Sequence, residues 1–197
     1  MRVTESEQPA RFNKKDICID QRSEISVNSK RKGSTGDSMG TRENDDISIY
    51  ELKTRDDIPD WTSFDSLAGF LHESLKPFED PLPEIEKGMD YALSSTRAKD
   101  GFIVLAARDE KPVGAVVMLK TSMSGYVPRF LLLFVAVRPE ERGQGIGGRI
   151  IMEAVNRCDG DVNLHVEYDN PAKRLYERLG FVNKYADMRY YKGEQGE

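Results

Sequence analysis

Between Val137 and Ile150 the chain passes from apolar to glycine-rich and back, and this turn carries the clearest chemistry in the sequence. Arg138, Pro139, Glu140, Glu141 and Arg142 lead into four glycines within six residues, Gly143, Gly145, Gly147 and Gly148, with Gln144 and Ile146 between them. Ahead of the turn lie eight apolar residues, Phe130 to Val137, too short a run for a membrane span and the right length for a buried strand. Behind it Ile146, Ile150, Ile151, Ala154, Val155 and Cys158 recur at helical spacing and make one apolar stripe. At the start of such a helix the N–H groups lack partners and, together with the helix dipole, favour an anion. Glycines let the backbone approach that anion without a Cβ in the way, and Arg142 adds a positive charge. The chemistry expected here is the seating of a phosphate or pyrophosphate.

Glycine-rich turns of several kinds fit part of this pattern. A P-loop requires Lys followed by Ser or Thr after its last glycine, whereas Gly148 is followed by Arg149 and Ile150. The dinucleotide fingerprint is met by Gly143-x-Gly145-x-x-Gly148 with Glu167 19 residues on, but five residues separate Val137 from Gly143 where that fold turns almost at once. Only 30 residues remain after Glu167, too few for the second half of a doubly wound sheet. A third reading takes Arg142-x-x-Gly145-x-Gly147 after the Val137-Arg138-Pro139 strand exit. A plain connection without a ligand is the fourth.

The elements that must position the turn follow from the pattern on either side. Residues 1–46 hold 10 scattered apolar residues among Ser, Asn, Lys, Asp and Gly, and are expected to form a disordered tail. One domain, residues 47–197, is expected after it. A strand begins at Ile47; Trp61 to Leu75 and the stretch around Ile85 and Met89 read as two helices forming a wall over a cleft. Gly101 to Ala107 and Val113 to Leu119, joined by a charged turn, read as an antiparallel hairpin leading to the Phe130 strand. Val162 to Glu167 is expected as the second strand of a βαβ unit, Pro171 to Leu179 as a helix and Phe181 to Tyr191 as a closing strand. The fold class expected is α/β in the broad sense (α+β), a mixed, mainly antiparallel sheet with helices on both faces and a central βαβ glycine-loop unit.

Composition sets further bounds. The first 47 residues carry nine basic and nine acidic residues, so the remaining 150, with 20 and 25, carry the whole net charge of −5. An acidic folded part argues against nucleic acid as a partner and favours cationic substrates such as amines. Two cysteines, Cys18 and Cys158, make no disulfide framework, and no apolar run reaches 18 residues. A soluble, cytoplasmic protein with no membrane partner is expected.

The segment Asn170-Pro171-Ala172-Lys173-Arg174-Leu175-Tyr176-Glu177-Arg178-Leu179-Gly180-Phe181 is, by itself, a capped amphipathic helix with Leu175, Tyr176 and Leu179 inward. Taken with the loop that begins at Arg142, 28 residues before Asn170, it resembles the Asn…Leu-Tyr-x-x-x-Gly-Phe segment of the GCN5-related N-acetyltransferase (GNAT) family. The resemblance covers residues 47–192. Asn170 precedes Tyr176 by six residues where many members have seven.

The resemblance implies acetyl-CoA as cosubstrate and no metal. It also implies an amine-bearing small molecule or protein as acceptor, and leaves a homodimer open. Main-chain groups of the strand segment Val135, Ala136 and Val137 would pair with the pantetheine arm. The N–H groups of Gly143, Gln144, Gly145, Ile146, Gly147 and Gly148 would hold the pyrophosphate beside Arg142, Asn170 would contact the cofactor, and Tyr176 would sit near its sulfur. Transfer to an amine needs a base, since such an amine titrates near ~10.4, and a proton donor for a thiolate whose acid titrates near ~8.5. Tyr176 is the expected acid, and the N–H of Val135 or its neighbour the expected oxyanion donor. The Phe130 strand holds nothing titratable, so the base is sought at His165, with Glu167 two residues on, and more weakly at Tyr126 or Glu51. A non-catalytic acyl-CoA-binding regulatory module is the alternative function.

Overall fold

A computed structural model describes residues 46–96, 99–123, 125–188 and 190. The expected N-terminal tail, apart from Asp46, lies outside the described residues. Five strands form one sheet in the order β1 (Ser48–Leu52), β2 (Gly101–Arg108), β3 (Lys111–Lys120), β4 (Phe130–Val137) and β5 (Val162–Leu164). The first four pair antiparallel and β5 runs parallel to β4. This is the mixed, mainly antiparallel sheet expected from the sequence.

Helices cover both faces, and the alternation along β2 shows why. Phe102, Val104 and Ala106 join the buried cluster under α3 (Ile146–Arg157), while Ile103 and Leu105 join the cluster under α1 (Phe64–Leu75) and α2 (Leu82–Ala92). A strand with both faces covered has to be apolar at every position. α3 buries Ile146, Ile150, Ile151 and Ala154, the stripe its sequence spacing requires. α1 begins at Ser63, whose hydroxyl accepts from the Ser66 N–H and so satisfies one of the first-turn donors.

β4 changes phase halfway. Its register to β3 runs Val137 to Phe134 opposite Gly114 to Val117, then skips Leu133 and resumes with Leu132 opposite Met118. The extra residue makes a β-bulge. Phe130 and Leu132 face α3, Leu133 and Phe134 both face α1 and α2, and Val135 and Val137 turn back toward α3. The β4–β5 ladder spans only Phe130 to Leu132 and ends where the bulge begins.

The C-terminal part departs from expectation in two places. β5 stops at Leu164 rather than Glu167, and residues 181–188 and 190 form no strand, so the closing strand expected over Phe181 to Tyr191 is absent among the described residues. A three-residue β5 offers too short an edge for a further ladder. α4 (Lys173–Arg178) is the last regular element among the described residues and packs Tyr176 into the cluster under α3.

Candidate active site

The main chain beyond the bulge has one open side. The Arg138 N–H donates to the Val113 carbonyl, so by the alternation of an antiparallel ladder Ala136 also bonds toward β3, while the polar groups of Val135 and Val137 point away from it. No strand among the described residues covers that side beyond Leu132. The open edge leads straight into the glycine turn. Gly143 and Gly145 have φ of +80° and +84°, the left-handed region that a side chain disfavours, and Gly145 is the N-cap of α3. The N–H groups of Ile146, Gly147 and Gly148 are then the first of the helix and have no carbonyl a turn earlier to bond.

The structure brings the two sequence motifs together. A Cβ on Gly147 would lie 3.4 Å from Leu175 Cδ2 and 3.5 Å from Val137 Cγ2, and one on Gly148 would lie 3.7 Å from Leu175 Cδ1. The first turn of α3 therefore sits between the end of β4 and α4. Asn170 Oδ1 accepts from the Ala172 N–H at 2.9 Å, so this side chain caps the segment entering α4, although the regular helix starts only at Lys173. At its other end Gly180, with φ +94°, closes a Schellman motif: Gly180 N–H donates to the Glu177 carbonyl and Phe181 N–H to the Tyr176 carbonyl. The hydrophobic contact that accompanies this motif is Phe181 against Tyr176, ring centroids 5.8 Å apart at 68°. Tyr176 is held by the end of its own helix and left 8% exposed. Burial pushes its phenol from the usual 10.0 up to about 12.

Arg142 is already engaged by the protein. Its Nε donates to the Val137 carbonyl at 3.1 Å and its Nη2 to the Ser74 carbonyl at the end of α1 at 2.7 Å. It ties the glycine turn to the strand before it and to a helix on the opposite face. Ser74 lies in the last turn of α1, where the carbonyl dipoles favour a cation. Arg138 clamps the Pro112 carbonyl through Nε and Nη2, and Arg108 pairs with Glu141. Sequence reasoning missed these ties, because no local signal says which carbonyl a long guanidinium will reach.

The remaining expected residues are dispersed. His165 and Glu167 are exposed and follow the end of β5, so the strand alternation that would put them on one face does not extend to them. Tyr126 is 84% exposed and stacks near Tyr185. Glu51 sits on β1, three strand spacings from β4, about 14 Å away across the sheet, and pairs with Lys53 and Arg157. Among the described residues no cluster of His, Cys, Asp or Glu could hold a metal ion, and no helix is long and apolar enough to cross a membrane.

Comparison with known proteins agrees with this geometry. The profile of the acetyltransferase (GNAT) domain matches residues 99–183. A mycothiol acetyltransferase of Brachybacterium faecium is 34% identical over 100 residues, 48% of this chain and 30% of that protein. N-alpha-acetyltransferase 30 of Schizosaccharomyces pombe is 32% identical over 95 residues, 46% of this chain and 63% of that protein. The chain thus spans less than two thirds of either relative. The fold matches that of a possible acetyltransferase from Clostridium difficile 630 with a TM-score of 0.55 and 24% identity, over 76% of this chain and 99% of that one. The strand, glycine turn and helix lie at the centre of residues 99–183, the stretch that matches the GNAT acetyltransferase domain, and the fold is that of the solved structure of a possible acetyltransferase.

Proposed function

We propose that the protein transfers an acetyl group from acetyl-CoA to a primary amine by direct attack. The observation that carries this reading is the continuity of donors along one line: the outward N–H groups of Val135 and Val137, then the free N–H groups at the start of α3, with Tyr176 of α4 in the same cluster. The residues fit the group. An extended amide-bearing arm can add to the open edge as a strand would, and a diphosphate suits the N–H groups from Gly143 to Gly148. Arg142 supports that seat by fixing the turn through its two carbonyl bonds.

Acetyl-CoA supplies the activated acyl group and a thiol leaving group. The protein's part is to orient and to move protons. The N–H of Val135, aimed at the open edge, stabilises charge developing on the acyl oxygen. Tyr176 donates a hydrogen bond to the departing sulfur. A phenol near 12 is a weaker acid than a thiol by roughly 3 to 4 units, and giving it up fully would cost about 5 kcal/mol. Hydrogen bonding to the sulfur is therefore its main contribution, with the ammonium formed by attack as the eventual proton source. His165, working through water from its exposed position, takes the proton that frees the amine, and Glu167 is its neighbour in that role.

The test is release of free thiol from acetyl-CoA across a panel of polyamines, aminoglycosides, peptides with free N-termini and lysine peptides, together with thermal shift by acetyl-CoA alone. Turnover with at least one amine and a raised Tm are expected. Absence of both turnover and thermal shift would refute the reading. Binding without turnover would leave a non-catalytic acyl-CoA-binding module.

A further inference from the structure

α2 meets β4 through a glycine. A Cβ on Gly88 would lie 2.6 Å from Leu133 Cδ2 and 2.9 Å from Phe134 Cε2, far inside normal carbon packing. Leu133 and Phe134 are the consecutive residues of the β4 bulge, and both turn toward this helix. The helix backbone at Gly88 thus rests on the side-chain ends of the two bulge residues. Phe134 is 8% exposed within a filled cluster, so its ring cannot retreat without moving other side chains. Helix propensity gives no reason for glycine in the middle of Leu82–Ala92, where alanine would be preferred. What glycine supplies is room.

The bulge stands at a junction. β5 leaves β4 at Leu132, one residue before it, and the open main chain of Val135 and Val137 begins just after it. We propose that Gly88 is a positioning residue for acyl transfer: its bare backbone seats α2 on Leu133 and Phe134, and that seat sets the direction of the β4 segment along which the thioester lies. The proposal rests on the acetyl-transfer reading above.

The experiment combines Gly88→Ala with a relieving Leu133→Ala, assayed at saturating acetyl-CoA with the best amine of the panel. Gly88→Ala is expected to lower kcat by about tenfold or more, as small misplacements of reacting groups do. The KM for acetyl-CoA should change by less than about threefold, because the glycine turn is untouched. Adding Leu133→Ala should then raise kcat by at least about threefold over Gly88→Ala, whereas Leu133→Ala alone should not raise it above wild type. Wild-type kcat in Gly88→Ala, or no recovery in the double variant, would overturn the proposal. If Gly88→Ala does not fold, the double variant carries the test: folded and turning over, it supports the proposal, and unfolded, it refutes it. Backbone amide resonances of Leu133 to Val135 separate this proposal from the reading beneath it, since they need no acceptor. If they move in Gly88→Ala and return in the double variant while wild type acetylates no amine, the acetyl-transfer reading falls alone. If they do not move, this proposal falls alone.

Discussion

Tyr176 is an expected site residue whose chemistry its surroundings alter. Its ring lies in the apolar cluster under α3 and against Phe181, and this burial penalises the phenolate and holds the phenol near 12. Such a group donates a hydrogen bond across the whole working range and does not titrate within it. Tyr176→Phe keeps the ring and its contact with Phe181 while removing the donor, so kcat should fall by about ten- to a hundredfold, less than the largest losses seen for a full general acid. The KM for acetyl-CoA should stay near wild type, and the wild-type rate–pH profile should show no descending limb from this group below pH ~10. Steady-state kinetics from pH 6 to 10 check both, and an unchanged kcat would remove Tyr176 from the chemistry. The motif made Tyr176 legible in the sequence. The helical spacing also put it on the inward face; what buries it was not legible, because that depends on α3, a helix some 20 residues earlier in the chain.

Elements explain what the sequence showed and what it hid. The glycine turn and α3 were legible because a period of 3.6 follows four glycines, and Gly180 was legible as the stop of α4. The bulge was hidden. Leu132, Leu133 and Phe134 are all apolar, so a doubled residue on one face breaks no visible alternation. The same absence of contrast concealed the role of Gly88, which reads as a mere weakness in a helix until the strand beneath it is seen. The expected closing strand failed for a different reason, since an alternating segment needs an edge to join and β5 is three residues long. At this scale Gly180→Ala isolates the Schellman end of α4. Nothing lies within 4 Å of the added Cβ, so the cost is that of a left-handed alanine, about 1 kcal/mol. A Tm lower by about 2–4 °C is expected for a domain of this size. Because the motif also holds the Tyr176–Phe181 contact, turnover should fall while acetyl-CoA still raises Tm; an unchanged Tm would show that the turn relaxes without loss.

The described residues form a sheet between two helical layers, and the layer under α3 holds two groups whose proton affinity burial raises, Cys158 and Tyr176. Burial pushes the Cys158 thiol from 9.0 up to about 11, with a smaller contribution from Asp159, and the Tyr176 phenol from 10.0 up to about 12. Both shifts are upward, so in each case the folded state keeps a proton that the unfolded chain gives up first. Below pH 9 neither group makes stability depend on pH. Between about 9 and 11 for Cys158, and about 10 and 12 for Tyr176, the unfolded chain binds fewer protons and stability falls with rising pH. For Tyr176 the loss amounts to about 2–3 kcal/mol across its window. Cys158 is half-buried, so solvent screening makes its share smaller. Urea unfolding midpoints measured from pH 8 to 12 should therefore decline more steeply in wild type than in Tyr176→Phe, with most of the difference above pH 10. Cys158→Ala should diverge earlier and by less. Parallel declines in all three proteins would mean that water reaches the α3 layer, and the ring beside the glycine turn would then lack the dry surroundings from which its reluctance to ionise is argued.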